Sequence, residues 1–292
     1  MKHKAGFVNI IGNPNVGKST LMNAIIGEKL SIVSHKVQTT RHRILGILND
    51  KNFQIIFSDT PGIINPSYKL QENMMNTVYS SFEDADILIY MIAVGEGDIS
   101  NEHILKRIKS ASIPVLLLLN KIDLASQDII KDQIDKYQND FKNAKVLPVS
   151  ALNNFNIEEV KSILIELLPE SPAYYEKDQL TNKSERFFVE EIIREKILKH
   201  YKQEIPYSVQ VQVEEFIDEK LIIKIRAIIF VMRESQRGII IGHKGMGLKR
   251  IGEESRRDIE KMVAKKVFLE TPVKIRKNWR NDSNQLKKFG YN

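Results

Sequence analysis

Cysteine is absent from all 292 residues, which excludes disulfides and thiolate-bound metals and suits a reducing compartment. Histidine is scarce: six stand at positions 3, 35, 42, 103, 200 and 243, without the spacing of a metal-ligand cluster. A hydrophobic run long enough to span a membrane is also missing. The longest uncharged apolar stretch, ILIYMIAVG at 87–95, is about half the length a bilayer requires. The opening MKHKAGFVNII has two early lysines but only a short apolar run before a glycine loop, so no signal peptide is expected there. There is no internal repeat and no low-complexity tract. Adjacent carboxylates such as Glu214 with Glu215 and Glu253 with Glu254 point in different directions, which argues against an acid–base pair.

What is present is an ordinary globular composition, 42% hydrophobic and 28% charged, over a length that fits two domains. The net charge of +7 is concentrated at one end. Residues 1–170 hold 18 Lys and Arg against 19 Asp and Glu, whereas those beyond residue 219 hold 19 against 7. A neutral first half and a basic last quarter suggest that only the second faces a polyanion, with a solvated basic surface as the plain alternative.

Through the first 170 residues apolar strand-like runs alternate with helical stretches. Strands are expected at 5–11, 43–49, 53–58, 86–94, 115–119 and 145–149, and helices near 18–27, 70–82, 100–110, 128–141 and 156–168. VLLLL at 115–119 has no polar face, so it belongs in a sheet covered on both sides. The pattern predicts an α/β three-layer domain over 1–170, with ligands at the carboxyl ends of its strands. PESPAYYEKDQLTNKS at 169–184 reads as a linker, 171–184 at its narrowest. A smaller α+β domain follows over 185–278. It has a helix at 185–202 with Phe188, Ile192, Ile193 and Ile197 on its apolar face, strands at 207–216 and 220–231, a glycine-rich loop between helices, and a strand near 266–275. A basic tail occupies 279–292.

GNPNVGKS at 12–19 fits the phosphate-loop pattern G-x-x-x-x-G-K-[ST], after an apolar strand and at the start of a helix. Gly12 and Gly17 let backbone N–H groups turn inward, with Asn13, Pro14, Asn15 and Val16 forming the loop between them. Lys18 can reach β- and γ-phosphates, Ser19 can ligate Mg²⁺, and Thr20 follows in the helix. NKID at 120–123 selects the base. Asp123 can accept from both the ring N–H and the exocyclic amine of guanine, which adenine does not offer, so GTP and GDP are the expected ligands. Asn120 braces that loop and the Lys121 stem covers the base. DTPG at 59–62 ends a strand: Asp59 can hold Mg²⁺ through water, Thr60 and Pro61 continue the turn, and the Gly62 N–H can meet a γ-phosphate and lose it after hydrolysis. In QTTRHR at 38–43, Thr40 is assigned to the Mg²⁺ shell, with Thr39 as the alternative. Ser150, Ala151 and Leu152 follow the last strand, where the Ala151 N–H can meet guanine O6. Lys18, Thr40 and Gly62 are thus the candidate catalytic groups, and Ser19, Thr40 and Asp59 the metal set.

This set resembles the Ras-like P-loop GTPases. GNPNVGKSTLMNAIIG with QTTRHRI and DTPG resembles the Era family of bacterial and organellar GTPases, and the resemblance covers nearly the whole chain. It implies slow turnover, because Ile63 stands where Ras-like enzymes carry a water-orienting glutamine. Related GTPases with this loop ligate K⁺ at the position of Asn15, so K⁺ is a candidate cofactor beside Mg²⁺.

The second glycine loop, GHKG at 242–245, resembles the loop of the KH fold that clamps the backbone of unpaired nucleotides. Gly242 and Gly245 allow close approach, His243 and Lys244 face phosphates, and Lys249 and Arg250 follow on the next helix. The element order resembles a type II KH domain. A dinucleotide fingerprint is disfavoured because no βαβ unit surrounds the loop, and a plain glycine turn is the other alternative. The tail residues Trp279, Phe289 and Tyr291 can stack on RNA, or the terminus is half ordered. The Era resemblance implies single-stranded RNA at the 3′ end of small-subunit ribosomal RNA, a role in processing and assembly of that subunit, and a cytoplasmic monomer with peripheral contact to the inner face of the membrane. Two rivals are an RNA-binding scaffold that holds GTP without turnover and a GTPase whose basic domain rests on anionic membrane.

Overall fold

A computed structural model describes residues 2–291. Within them the chain divides into two compact units, one of residues 2–67 and 71–182, the other of 68–70 and 183–291.

The first unit is built on a six-stranded sheet. Its strands are β1 (Lys4–Gly12), β2 (Ile44–Asn49), β3 (Phe53–Asp59), β4 (Ile87–Ala93), β5 (Val115–Asn120) and β6 (Ala144–Pro148), in the order β2-β3-β1-β4-β5-β6. Only β2 runs antiparallel to its neighbour. Every residue of β4 and β5 is buried, as their uninterrupted apolar sequences require. The helices α2 (Lys69–Ser81), α3 (Glu102–Lys109) and α4 (Gln127–Asp140) contribute Met75, Val78, Ile104, Ile108 and Tyr137 to one core with Tyr90, Leu117 and Leu119. The helices α1 (Lys18–Ile26) and α5 (Ile157–Leu167) contact each other, and α1 also lies against β1, β2 and β3. The turns after β1, β3, β5 and β6 therefore open at one edge of a parallel sheet, where open α/β sheets bind ligands.

The stretch read as a linker is pinned to this unit. Ile47 N–H donates to Leu180 O at 2.8 Å, and Lys177 Nζ reaches Asp50 O at 2.6 Å. Gln54 Oε1 accepts from Tyr174 N–H at 2.7 Å while its amide donates to Tyr175 O at 2.9 Å. The segment thereby covers β2, the exposed edge of the sheet.

The second unit contains α6 (Glu185–His200), α7 (Ile205–Ser208), β7 (Gln210–Asp218), β8 (Ile222–Val231), α8 (Glu234–Ile241), α9 (Met246–Val263), β9 (Lys266–Glu270), β10 (Val273–Ile275) and α10 (Ser283–Lys288). Strand β7 pairs antiparallel with β8, and β9 and β10 each pair with it in parallel. The single final strand expected near 266–275 is divided at Thr271–Pro272, where proline has no N–H to give the ladder. Alternate residues of β8, Ile223, Ile225, Ala227, Ile229 and Val231, point into a core with Val189, Ile193 and Ile197 of α6 and Ile251 and Ile259 of α9.

The C-terminal reading is corrected. Residues 279–291 form a packed element of the second unit: Trp279, Leu286, Phe289 and Tyr291 are all buried. Trp279 Nε1 donates to Ser208 O at 2.9 Å, the Tyr291 hydroxyl donates to Gln210 Oε1 at 2.8 Å, and Phe289 packs against Phe230 and Trp279. Burying these rings removes far more apolar surface from water than stacking a mobile tail on a base, so they are not free to stack. Asn292 lies outside the described residues.

Candidate functional site

Strand β1 runs into the first glycine loop, and sterics dictate both glycines. A Cβ on Gly12 would stand 2.2 Å from Met91 O. Gly17 has φ +106°, and a Cβ there would meet Asn120 Nδ2 at 2.2 Å. Lys18 is buried, its ammonium donating to Gly12 O at 3.1 Å and Asn13 O at 2.8 Å. Burial lowers its pKa to about 8, against the attraction of Asp59 and Glu96. A cation held in this way gains when a phosphate enters the loop.

Three oxygens expected from separate motifs meet beside it. Ser19 Oγ donates to Asp59 Oδ2 at 2.7 Å and lies 3.0 Å from Thr40 Oγ1, which in turn is 3.4 Å from Asp59 Oδ2. The other Asp59 oxygen is buried without a hydrogen-bond partner, and burial raises the carboxyl pKa above its usual range. An orphaned carboxylate oxygen beside two hydroxyls is a hard-oxygen set that fits Mg²⁺. Thr39 turns its hydroxyl to Lys36 O at 2.5 Å, which leaves Thr40 as the threonine facing the set.

The DTPG turn packs on the same loop. Thr60 Oγ1 donates to Ile10 O at 2.7 Å. A Cβ on Gly62 would lie 2.7 Å from Pro14 Cα, so only glycine brings this N–H beside the phosphate loop. Pro61 is buried, and Ile63 sits in the core with its N–H donating to Gly12 O at 3.2 Å. Asn15, at φ 65°, donates to His35 O at 2.8 Å and so ties the loop to the segment preceding Thr39.

At the base-selecting end, Asn120 Nδ2 donates to Val16 O at 2.7 Å, bracing the phosphate loop as expected of that residue. Lys121 adopts φ 64°, and the exposed Asp123 accepts from Ser150 Oγ at 2.6 Å. The Ala151 N–H, expected to meet the guanine carbonyl, donates instead to Asn120 Oδ1 at 2.9 Å. In this geometry it braces one loop against the other. Leu124, next to Asp123 in the chain, and Leu152, two residues past Ser150, are exposed at 74% and 77%. Leu124 was not foreseen.

In the second unit, α8 ends at Gly242 (φ 70°), Lys244 has φ 49° and Gly245 has φ 77°, so three of four loop residues hold left-handed backbone. His243, Lys244, Lys249 and Arg250 are exposed, and Ile239 and Met246 add apolar surface on either side of the loop. What sequence reasoning missed is the support beneath. Tyr201, just past α6, donates its hydroxyl to Ile240 O at 2.8 Å. A Cβ on Gly247 would meet that hydroxyl at 2.7 Å and Ile240 O at 2.8 Å. A glycine inside the helical run MGLKRI was the one available signal.

The chain matches two family models in order, a 50S ribosome-binding GTPase over residues 7–121 and a KH domain over residues 204–280. It is 43% identical to the GTPase Era of Staphylococcus haemolyticus, across 99% of this chain and 98% of that one. A solved structure of Era in complex with MgGDPNP and nucleotides 1506–1542 of 16S ribosomal RNA superposes with a TM-score of 0.95 at 37% identity, covering 99% of each chain. A structure of an Aquifex aeolicus Era variant bound to GDP and aluminium fluoride superposes equally well, at 0.95 and 36% identity over 99% of each chain.

Proposed function

The chain belongs to the Era family of GTPases, and from that premise we propose that it binds the 3′ end of small-subunit ribosomal RNA through its KH domain under control of the nucleotide held by its GTPase domain. The observation that carries the reading is the presence of two differently built anion loops in one chain. One has a buried lysine and an oxygen triad for a nucleotide with its Mg²⁺; the other has exposed His243 and Lys244 in a loop whose Gly242, Lys244 and Gly245 hold left-handed backbone, suited to a nucleic acid strand.

In turnover, Lys18 and backbone N–H groups of the 12–19 loop, to which Pro14 contributes none, hold the β- and γ-phosphates, and the Gly62 N–H meets the γ-phosphate. Mg²⁺, when bound by Ser19, Thr40 and Asp59, offsets charge that builds on the phosphate oxygens. Ile63 is buried and cannot orient water, so intrinsic hydrolysis is slow. Asn15 stands at the loop's exposed rim, where K⁺ can lower the barrier by adding a positive charge. Because related GTPases with this loop ligate K⁺ at the position of Asn15, K⁺ is expected to accelerate turnover more than Na⁺, and equal rates in the two salts would remove Asn15 from the reaction. The wider reading is a cytoplasmic monomer that acts in assembly of the small ribosomal subunit, with peripheral membrane contact. Crosslinking in cells followed by sequencing of the bound RNA tests it: recovery of reads spread evenly over cellular RNA would reject the ribosomal target.

A further inference from the structure

Arg43, the last residue of QTTRHR, has no assigned part in holding nucleotide or metal, yet it sits at the junction of four segments. Its Nε donates to Ser58 Oγ at 2.6 Å, one nitrogen pairs with Asp84 Oδ2 at 2.6 Å, and the other donates to Asn9 Oδ1 at 3.3 Å. Asn9 closes the ring: its amide donates to Asp84 Oδ1 at 2.9 Å and also to Ser81 O. Asn9, Ser58 and Ser81 are fully buried. A planar fork that satisfies several fixed acceptors holds their mutual geometry in a way a single-point cation does not.

The segments so joined are the ones that carry the reaction. Ser58 precedes Asp59 in β3, and Asn9 is its register partner in β1, three residues before Gly12. Arg43 itself follows Thr40 by three residues, at the point where the loop enters β2. Ser81 ends α2 and Asp84 lies just beyond, so the ring also grips the far end of the helix that follows DTPG.

We propose that Arg43 is a positioning residue for GTP turnover. Its guanidinium fixes the stems of the Thr40 and Asp59 segments to each other and to the C-terminal end of α2, so that the groups reading Mg²⁺ and γ-phosphate keep one register. The residue touches neither nucleotide nor metal; it acts through Ser58 and Asp84. GDP affinity rests mainly on the phosphate loop and on Asp123, and so does not depend on it.

The test compares wild type with Arg43→Gln, Arg43→Lys, Asp84→Asn and Ser58→Ala in the full-length chain, by Mg²⁺ titration of single-turnover hydrolysis, GDP affinity, thermal unfolding, and hydrogen exchange of residues 71–84 with GDP or GDPNP. Arg43→Gln is expected to slow hydrolysis by about tenfold or more, since small misplacements of reacting groups carry costs of that order. It should also raise the Mg²⁺ concentration for half-maximal rate several-fold and abolish the difference in exchange between the two nucleotides, with GDP affinity unchanged. Arg43→Lys, which keeps the Asp84 pairing but loses the fork, should fall between. If Arg43→Gln does not fold, Asp84→Asn and Ser58→Ala carry the test and should shift the Mg²⁺ requirement in the same direction. A lower melting temperature with an unchanged Mg²⁺ requirement and an intact nucleotide-dependent exchange pattern would overturn the proposal, leaving Arg43 a purely structural pin. A loss of GDP affinity in step with stability would overturn it equally.

Discussion

Asp123 is exposed and hydrogen-bonded by Ser150, which orients its carboxylate without removing its capacity to accept two further donors. Asp123→Asn replaces an acceptor-only group by one that also donates, so it suits xanthine, which carries a carbonyl where guanine carries an amine. GTP affinity should fall by about 3 kcal/mol, the order of two hydrogen bonds to a charged acceptor. Xanthine nucleotides should gain in a competition assay, and wild-type affinity for ATP equal to that for GTP would reject the assignment. A second residue-scale effect concerns Glu190, whose carboxylate accepts from Val213 N–H at 2.8 Å. Burial, reinforced by Glu191 and opposed by that hydrogen bond and by Arg186, pushes its pKa up to about 7 from an ordinary 4.5. Between those values the folded unit holds a proton that the unfolded chain has released, so this group's contribution to stability falls as pH rises. Urea unfolding followed by the fluorescence of Trp279, the sole tryptophan and a buried one, should show that decline from pH 5 to 8, and Glu190→Gln should flatten it. An identical slope in the variant would assign the titration elsewhere.

At the scale of elements, α8, the GHKG loop and α9 depend on a contact that no local pattern announces. Tyr201→Phe deletes one hydroxyl and leaves Ile240 O without that donor, a loss of about 1 kcal/mol for a neutral hydrogen bond. Gly247→Ala pushes a methyl against the same hydroxyl and carbonyl, and overpacking of this kind costs about 1–3 kcal/mol. Both changes should weaken RNA binding without altering GTP affinity, and unaltered RNA dissociation constants would show that the loop keeps its shape alone. Burial explains what was legible. VLLLL can only be an interior strand, and the phosphate loop sits where a strand meets a helix, so the six first-unit strands and the loops at their ends follow from the sequence. Interactions through backbone carry no side-chain signature, and so the clamping of 169–182 onto β2 by Ile47 N–H and Leu180 O was invisible. Long-range polar contacts hide for a related reason: nothing near Arg43 in the chain points to Asp84 or Asn9. The aromatic residues of 279–291 were visible, but their destination depends on Phe230 and Gln210, which lie far away in sequence.

For the whole molecule, the division into two units makes a claim about independence that the two loops allow to be measured. The first loop is internal to its unit: Lys18 is buried and its partners Gly12, Asn13, Asp59 and Glu96 all lie between residues 1 and 182. The second presents His243 and Lys244 on the surface of the other unit, on backbone whose shape is set by Gly242 and Gly245. Replacing His243 and Lys244 together by aspartates leaves both glycines and the Tyr201 support in place, and aspartate tolerates turn conformations, so the unit should fold. Attraction for an anionic backbone becomes repulsion at close range and less counterion release accompanies binding, so RNA affinity should drop by a few kcal/mol, with a shallower salt dependence. GTP affinity in the same preparation should stay within error of wild type. The paired reading separates the ways of failing. If RNA binding survives at fixed salt, the basic surface elsewhere in the second unit carries it and 242–245 is an ordinary turn. If GTP binding falls with RNA binding, the two loops serve one site, and the chain does not work as two separately built units.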